Sequence, residues 1–300
     1  MRIGLLGFGV VGRGVYDITA TRDDIKVAKV VCLEDISLPD AEVTKDFQSV
    51  LADESIDTIV EAMGGLHPAY EFVRAAMEAG KNVVTSNKAL VCTYYDELVP
   101  LAEAKGVQFR CAAAVGGGIC WLSELERSRR VQNIQQVGGI MNGTCNYILD
   151  SMTRLGLGYD EALKQAQALG YAEANPTTDV EGIDTWHKLI LSSNIGFGIS
   201  VEPESVPAAG IRHISAGDVK NFKEHGYVCK LVSTGMMEDG KILESSLKKT
   251  KFDINEFLQE ARISGYYDIS QIEYAIMEAN GKISFLKNED NILPLDGKKL

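Results

Sequence analysis

Apolar and polar positions alternate in two rhythms along the first 130 residues. A short apolar run at 2–6 predicts a strand, and Arg13-Gly14-Val15-Tyr16-Asp17-Ile18 behind it predicts a helix. Further strands are predicted at Val27–Leu33, Ile56–Ala62, Asn82–Thr85 and Val107–Arg110. Helices fall between them, from Pro68 to a stop at Gly80 and around Tyr95–Lys105. Strands and helices in strict alternation build a parallel sheet whose strand C-terminal ends form a ligand crevice.

The first strand runs into Gly7-Phe8-Gly9-Val10-Val11-Gly12, which opens the first helix. A glycine turn between a strand and a helix aims backbone N–H groups at a pyrophosphate, so this stretch is read as a dinucleotide turn. With the alternating pattern it predicts a Rossmann-type doubly wound α/β domain. Glu34 closes the second strand, 34 − 12 = 22 residues after the third glycine. A carboxylate there accepts bonds from a ribose and repels a 2′-phosphate, which favours NAD over NADP; a solvated loop acid is the plain alternative. Ser86 and Lys88 follow another strand end, where a lysine is as readily a solvated surface group as a functional one.

Thirty Lys+Arg against forty-two Asp+Glu leave a net charge of −12. That balance argues against a nucleic-acid partner or an anionic membrane surface, which need a basic face. No apolar run approaches the roughly 18 residues of a membrane span. The N-terminus lacks the apolar core of a secretion signal, so a cytoplasmic location is expected. Six scattered cysteines without a C-x-x-C pair read as free thiols.

Glycines crowd again at Gly116-Gly117-Gly118 and at Gly138-Gly139-Ile140-Met141-Asn142-Gly143-Thr144, as ligand loops or plain turns. The run from Gly170 to Lys188 is more informative. Asp184 and Lys188 are four apart, so on a helix they share a face, and apolar Leu189-Ile190-Leu191 follows. A lysine entering a buried helix beside an acid is a candidate proton donor; a surface ion pair is the alternative that spacing leaves open.

Residues 1 to about 232 resemble the homoserine dehydrogenases. The resemblance rests on Gly7–Gly12, Val83–Leu90, Ala113–Ile119, Gly139–Leu149 and Gly170–Lys188. It implies an oxidoreductase that interconverts L-homoserine and L-aspartate 4-semialdehyde with NAD(P)H, in threonine and methionine biosynthesis, and a homodimer. By resemblance, Lys188 is the acid/base and Asp184 positions it and the substrate. Glu173 binds the substrate ammonium, Asp179 and Tyr171 line the pocket, Lys88 lies near cofactor and substrate, and Gly143 and Thr144 run beneath the substrate. The resemblance also implies a monovalent cation on the carbonyls of Val115, Gly117 and Ile119, but the glutamate that completes that site is Ala112 here. Cys120 replaces a loop proline, and Asn175 replaces an acid.

After Leu231 this resemblance stops, about a hundred residues before the family's usual end. The substrate and dimerisation domain, an α+β unit, is therefore expected to be incomplete. Beyond it, Asp253-Ile254-Asn255-Glu256 reads as a capping box for an amphipathic helix carrying Ile254, Phe257, Leu258 and Ala261, ended by Gly265. Strands at Ile272–Glu278 and Lys282–Leu286 flank Asn280-Gly281, a type I′ hairpin signal. This small α+β tail resembles the cytosolic module of YetF-type membrane proteins, without their membrane helices. The expected organisation is 1–130 for the dinucleotide, 131–235 for substrate, and 236–300 as an appended module, a fusion with its junction near Ser233–Asp239.

Overall fold

The computed structural model describes residues 1–238, 241–242, 262–265, 272–277 and 283–287. It has two compact units: Met1–Val137 with His187–Pro203, and Gly138–Trp186 with the described residues from Glu204 onward.

The first unit is built on six parallel strands. In chain order its elements are β1 (Arg2–Leu6), α1 (Val10–Ala20), β2 (Lys26–Val31), β3 (Glu42–Thr44), α2 (Phe47–Leu51), β4 (Thr58–Glu61), α3 (Ala69–Glu78), β5 (Asn82–Thr85), α4 (Lys88–Thr93), α5 (Tyr95–Lys105), β6 (Phe109–Arg110) and α6 (Trp121–Arg129). The strand order is β3-β2-β1-β4-β5-β6, so the chain reverses direction across the sheet between β1 and β4. Every described pair in it is parallel. This is the doubly wound order the alternation predicts, with its ligand crevice where the order reverses.

Helices cover both faces of such a sheet, so its strands read as near-continuous apolar runs rather than alternating ones. Leu5, Leu6, Ile59 and Val83 are fully buried accordingly. Helix α3 buries Ala69, Val73, Ala76 and Met77, one stripe at helical spacing. Gly80 follows it at φ +76, a left-handed conformation open to glycine without strain. The strand expected at Val107–Arg110 shrinks to two residues; just before it, the Gln108 N–H bonds to the Asn82 side chain at 2.9 Å while its carbonyl accepts from the Val83 N–H at 2.8 Å.

The second unit contains the end of β7 (Gln136–Gly139), then α7 (Gly143–Leu155), α8 (Tyr159–Ala168), the single turn α9 (Thr177–Val180) and the start of α10 (Ile183–Phe197), which continues into the first unit. Helix α11 (Ala216–Glu224), β8 (Ser233–Glu238) and β9 (Lys241–Ile242) follow. Cys145, Ile148, Leu149 and Met152 of α7 pack with Ala162 and Ala166 of α8 and with Val219 of α11. The capping box of α11, Ser215 with Asp218, satisfies two backbone donors at its start.

Strand β8 stands between β7 and β9 in a three-stranded sheet. The expected junction near Ser233–Asp239 thus falls within and just after a strand of that sheet. Farther on, β10 (Ile272–Met277) and β11 (Ile283–Lys287) pair antiparallel, Met277 opposite Ile283. The predicted Asn280-Gly281 turn and the helix at Asp253–Ala261 lie outside the described residues. Gly265, read as the stop of that helix, has φ +87, and its N–H donates to the Arg262 carbonyl at 3.0 Å. All six cysteines are free thiols. Among the described residues no helix is long and apolar enough to cross a membrane.

Candidate active site and dinucleotide cradle

The glycine turn sits where the strand order reverses. Gly7 adopts φ +91, and its N–H donates to the Val31 carbonyl of β2 at 2.8 Å. A Cβ on Gly12 would collide with the Gly7 carbonyl, so the third glycine lets α1 close onto β1. Gly9 caps α1 with no side-chain bond, and a Cβ there would meet open space. Val10 beside it is 92% exposed. Uncapped helix N–H groups, an open approach over glycine and an uncovered apolar side chain are what a dinucleotide pyrophosphate and its ribose would cover. The residues present fit such a cofactor, with Gly7, Phe8, Gly9, Val10, Val11 and Gly12 in the turn.

Glu34 is exposed, three residues beyond β2. Its neighbour Asp35 pairs with Lys45 at 2.7 Å, an exposed contact of little energetic weight. On the other side of the reversal, Ser86 and Lys88 lie just past β5 and are half-buried. Asn87 between them caps α4 by accepting from the Leu90 N–H at 3.1 Å. Lys88 is therefore the first residue of a helix pinned at its start.

The cation reading fares differently. Ala112 opens a 3-10 turn, Ala112–Ala114, and supplies no carboxylate. The Ile119 carbonyl already accepts from the Trp121 N–H at 2.8 Å. Val115, Gly117 and Ile119 thus offer carbonyls alone, one of them already accepting a hydrogen bond, with no carboxylate at Ala112 to complete the set.

In the second unit, one residue that spacing did not single out organises the acids. Asn142 is buried and its Nδ2 donates to Asp179 at 2.7 Å and to Asp184 at 2.9 Å. Its Oδ1 accepts from the Cys145 N–H at 2.7 Å, which caps α7 and fixes the amide's orientation. The predicted loop at Gly143 and Thr144 is the first turn of α7 instead, because this cap starts a helix there. Thr144 donates to the Tyr171 carbonyl at 2.6 Å, and Tyr171 stacks on Tyr147 with centroids 4.7 Å apart. Glu173 is exposed; its carbonyl accepts from Gln167 at 3.0 Å. Asp179, Asp184, Thr144 and Tyr171 therefore share one neighbourhood around Asn142.

Asp184 and Lys188 lie four residues apart on α10, as their spacing predicts. Lys188 is half-buried in the first unit's part of that helix. Its carbonyl accepts from Ser192 at 2.6 Å, and Ser192 accepts from the Trp121 indole N–H at 2.8 Å, so α6 steadies this turn.

Burial, with Asp179 and then Asp184 adding negative charge, pushes the Cys145 thiol up to about 12. Burial likewise raises Cys111 to about 11. Only thiolates react quickly. Cys120, the one exposed cysteine, should therefore be alkylated first by iodoacetamide at pH 8, with Cys145 and Cys111 untouched in the folded chain. Peptide mass spectrometry checks this, and early modification of Cys145 would contradict the packing around α7.

Sheet order, glycine turn and open helix N-terminus define a dinucleotide-binding protein of the doubly wound class. Two family models match: the NAD-binding domain of homoserine dehydrogenase over residues 7–112, and homoserine dehydrogenase over residues 121–293. The chain belongs to the homoserine dehydrogenase family. It is 38% identical to homoserine dehydrogenase of Synechocystis over 258 residues, 82% of this chain and 59% of that one. The crystal structure of a homoserine dehydrogenase from Thiobacillus denitrificans superposes with a TM-score of 0.76 at 38% identity, covering 81% of this chain and 59% of that one. A hyperthermophilic archaeal homoserine dehydrogenase in complex with NADPH superposes at 0.67 with 25% identity, covering 80% and 79%. The chain thus spans about 59% of the Synechocystis relative's length.

Proposed function

We propose that this chain oxidises L-homoserine to L-aspartate 4-semialdehyde, and runs the reverse reduction, as a step toward threonine and methionine. A bound nicotinamide dinucleotide supplies the hydride acceptor. Lys188 takes the proton from the substrate hydroxyl during oxidation and returns it to the carbonyl oxygen during reduction. Asp184 orients Lys188 and substrate, and Glu173, with Asp179 and Tyr171, receives the substrate ammonium. Gly143 and Thr144 floor the substrate. Ser86 contacts the cofactor, and Lys88 lies near cofactor and substrate. The observation that carries this reading is the acid pair held by Asn142, with Asp184 on the helix of Lys188.

Glu34 makes NAD the preferred dinucleotide, since a carboxylate beside the ribose opposes a 2′-phosphate; tighter binding of NADP would sink that preference. A homodimer in the cytoplasm, with no nucleic-acid or membrane partner, completes the reading. The 1–130 and 131–235 domains carry the reaction, and residues 236–300 are read as an appended module of the YetF type with an antiparallel β10–β11 pair, although the homoserine dehydrogenase family model matches as far as residue 293.

The test is homoserine-dependent NAD reduction at alkaline pH beside a dinucleotide titration. Turnover establishes the activity. Binding without turnover favours a second reading, a catalytically impaired nucleotide-binding fusion.

A further inference from the structure

Resting on the dinucleotide reading, we propose that Glu61 is a positioning residue for the cofactor. Its buried carboxylate ties the floor of the Gly7–Gly12 turn to the Ser86–Lys88 turn, so that both lips of the crevice hold one arrangement. Glu61 is the last residue of β4 and only 1% exposed. In register it stands opposite Leu6 at the end of β1 and Thr85 at the end of β5. It therefore lies directly under the place where the strand order reverses.

A buried carboxylate is costly unless its oxygens are bonded. One oxygen of Glu61 accepts from the Met63 N–H at 2.8 Å and the Gly64 N–H at 3.3 Å. The other accepts from the Thr85 hydroxyl at 2.5 Å. That hydroxyl accepts in turn from the Asn87 N–H at 2.9 Å, which directs its own proton to Glu61. Asn87 donates from Nδ2 to the Gly65 carbonyl at 2.6 Å and closes a ring back to the first loop.

Each arm of the ring ends on a cofactor-facing turn. Gly64 and Gly65, at φ +77 and +72, let the chain fold back over the carboxylate. The segment so held lies against the glycine turn, because a Cβ on Gly7 would strike the Ala62 carbonyl and Met63 Cα. On the other arm Asn87 caps the helix that begins at Lys88. The Ser86 N–H adds a bond to the Glu61 carbonyl at 3.3 Å. Satisfying the second carboxylate oxygen needs the Thr85 hydroxyl alone, whereas the two Asn87 bonds carry the link on to the start of α4 and back to Gly65.

The direction of each bond makes Gln the diagnostic substitution. Glu61→Gln keeps shape and one acceptor, but sets an amide N–H against a hydroxyl whose proton then has no acceptor. Thr85→Val cuts the same link from its far side, and Thr85→Ser keeps it. Dinucleotide titrations are expected to show Glu61→Gln and Thr85→Val each weakening NAD binding about tenfold. Thr85→Ser should bind like the wild type, and the double variant should lose no more than the worse single, because both cut one link. In the dinucleotide-free proteins, hydrogen exchange at the Asn87 amide should quicken in both single variants. Unchanged NAD affinity in folded Glu61→Gln or Thr85→Val protein, or additive losses in the double, overturns the positioning role alone. A wild-type chain that binds no dinucleotide overturns the cofactor reading, and this proposal with it.

Discussion

Lys188→Ala is expected to lower homoserine-dependent dinucleotide reduction by about 10²–10⁴-fold, the usual worth of a positioned acid/base. Dinucleotide affinity should stay within about twofold, because the loss belongs to the transition state rather than to binding. Lys188 is half-buried, and the turn it opens is fixed by Ser192 and Trp121. A fixed backbone lets the ammonium reach a reacting oxygen repeatably at little entropic cost. Lys188→Arg should fail almost as badly, since a guanidinium keeps the charge but does not release its proton near neutral pH. Steady-state rates for the two variants beside a titration of each separate chemistry from binding. Lys188→Ala turning over within about tenfold of wild type would remove Lys188 from the acid/base role.

The cofactor half of the molecule was largely legible in the sequence, and the reasons are local. Asn82–Thr85 is a strand over the residues expected, and Tyr95–Lys105 is a helix over the residues expected. The first carries the adjacent valines Val83 and Val84 behind the Gly80 stop, and the second ends at Gly106 in the left-handed conformation, φ +67. Segment 42–51 escaped notice, because a three-residue strand and a five-residue helix are too short to show a period.

The substrate half was legible in its residue types and not in its architecture. Gly143 made the start of α7 read as a loop, although Cys145, Ile148, Leu149 and Met152 already stood at helical spacing. What decides for helix is the Asn142 cap and the burial of that stripe, neither of which a glycine-rich string advertises. Asn142 and Glu61 share one cause of invisibility. Their partners are 37, 42 and 24 residues away in sequence, so no spacing rule brings them together. The fold makes both contacts, by bringing strand ends or helix starts side by side.

Asn142→Asp should be the most damaging change in the second unit. The wild-type amide gives two N–H bonds to carboxylates that otherwise face each other in a buried place, and each bond to a charged group is worth about 1.5–3 kcal/mol. The substituted carboxylate keeps the acceptor that caps α7 but turns both donors into acceptors. Three anions then meet where Asp184 is only 7% exposed and solvent screens little. A loss near 3 kcal/mol corresponds to a melting temperature lower by on the order of 10 °C in a chain of this size. Homoserine kcat/KM should fall about a hundredfold, because Asp179 and Asp184 no longer hold their places. Asn142→Ala removes the donors and the cap without adding charge, so it should be the milder variant in both measurements. That order is the discriminating result. Repulsion among the acids makes Asn142→Asp worse than Asn142→Ala, whereas a role confined to capping α7 would make it better, since aspartate is a good cap and alanine a poor one.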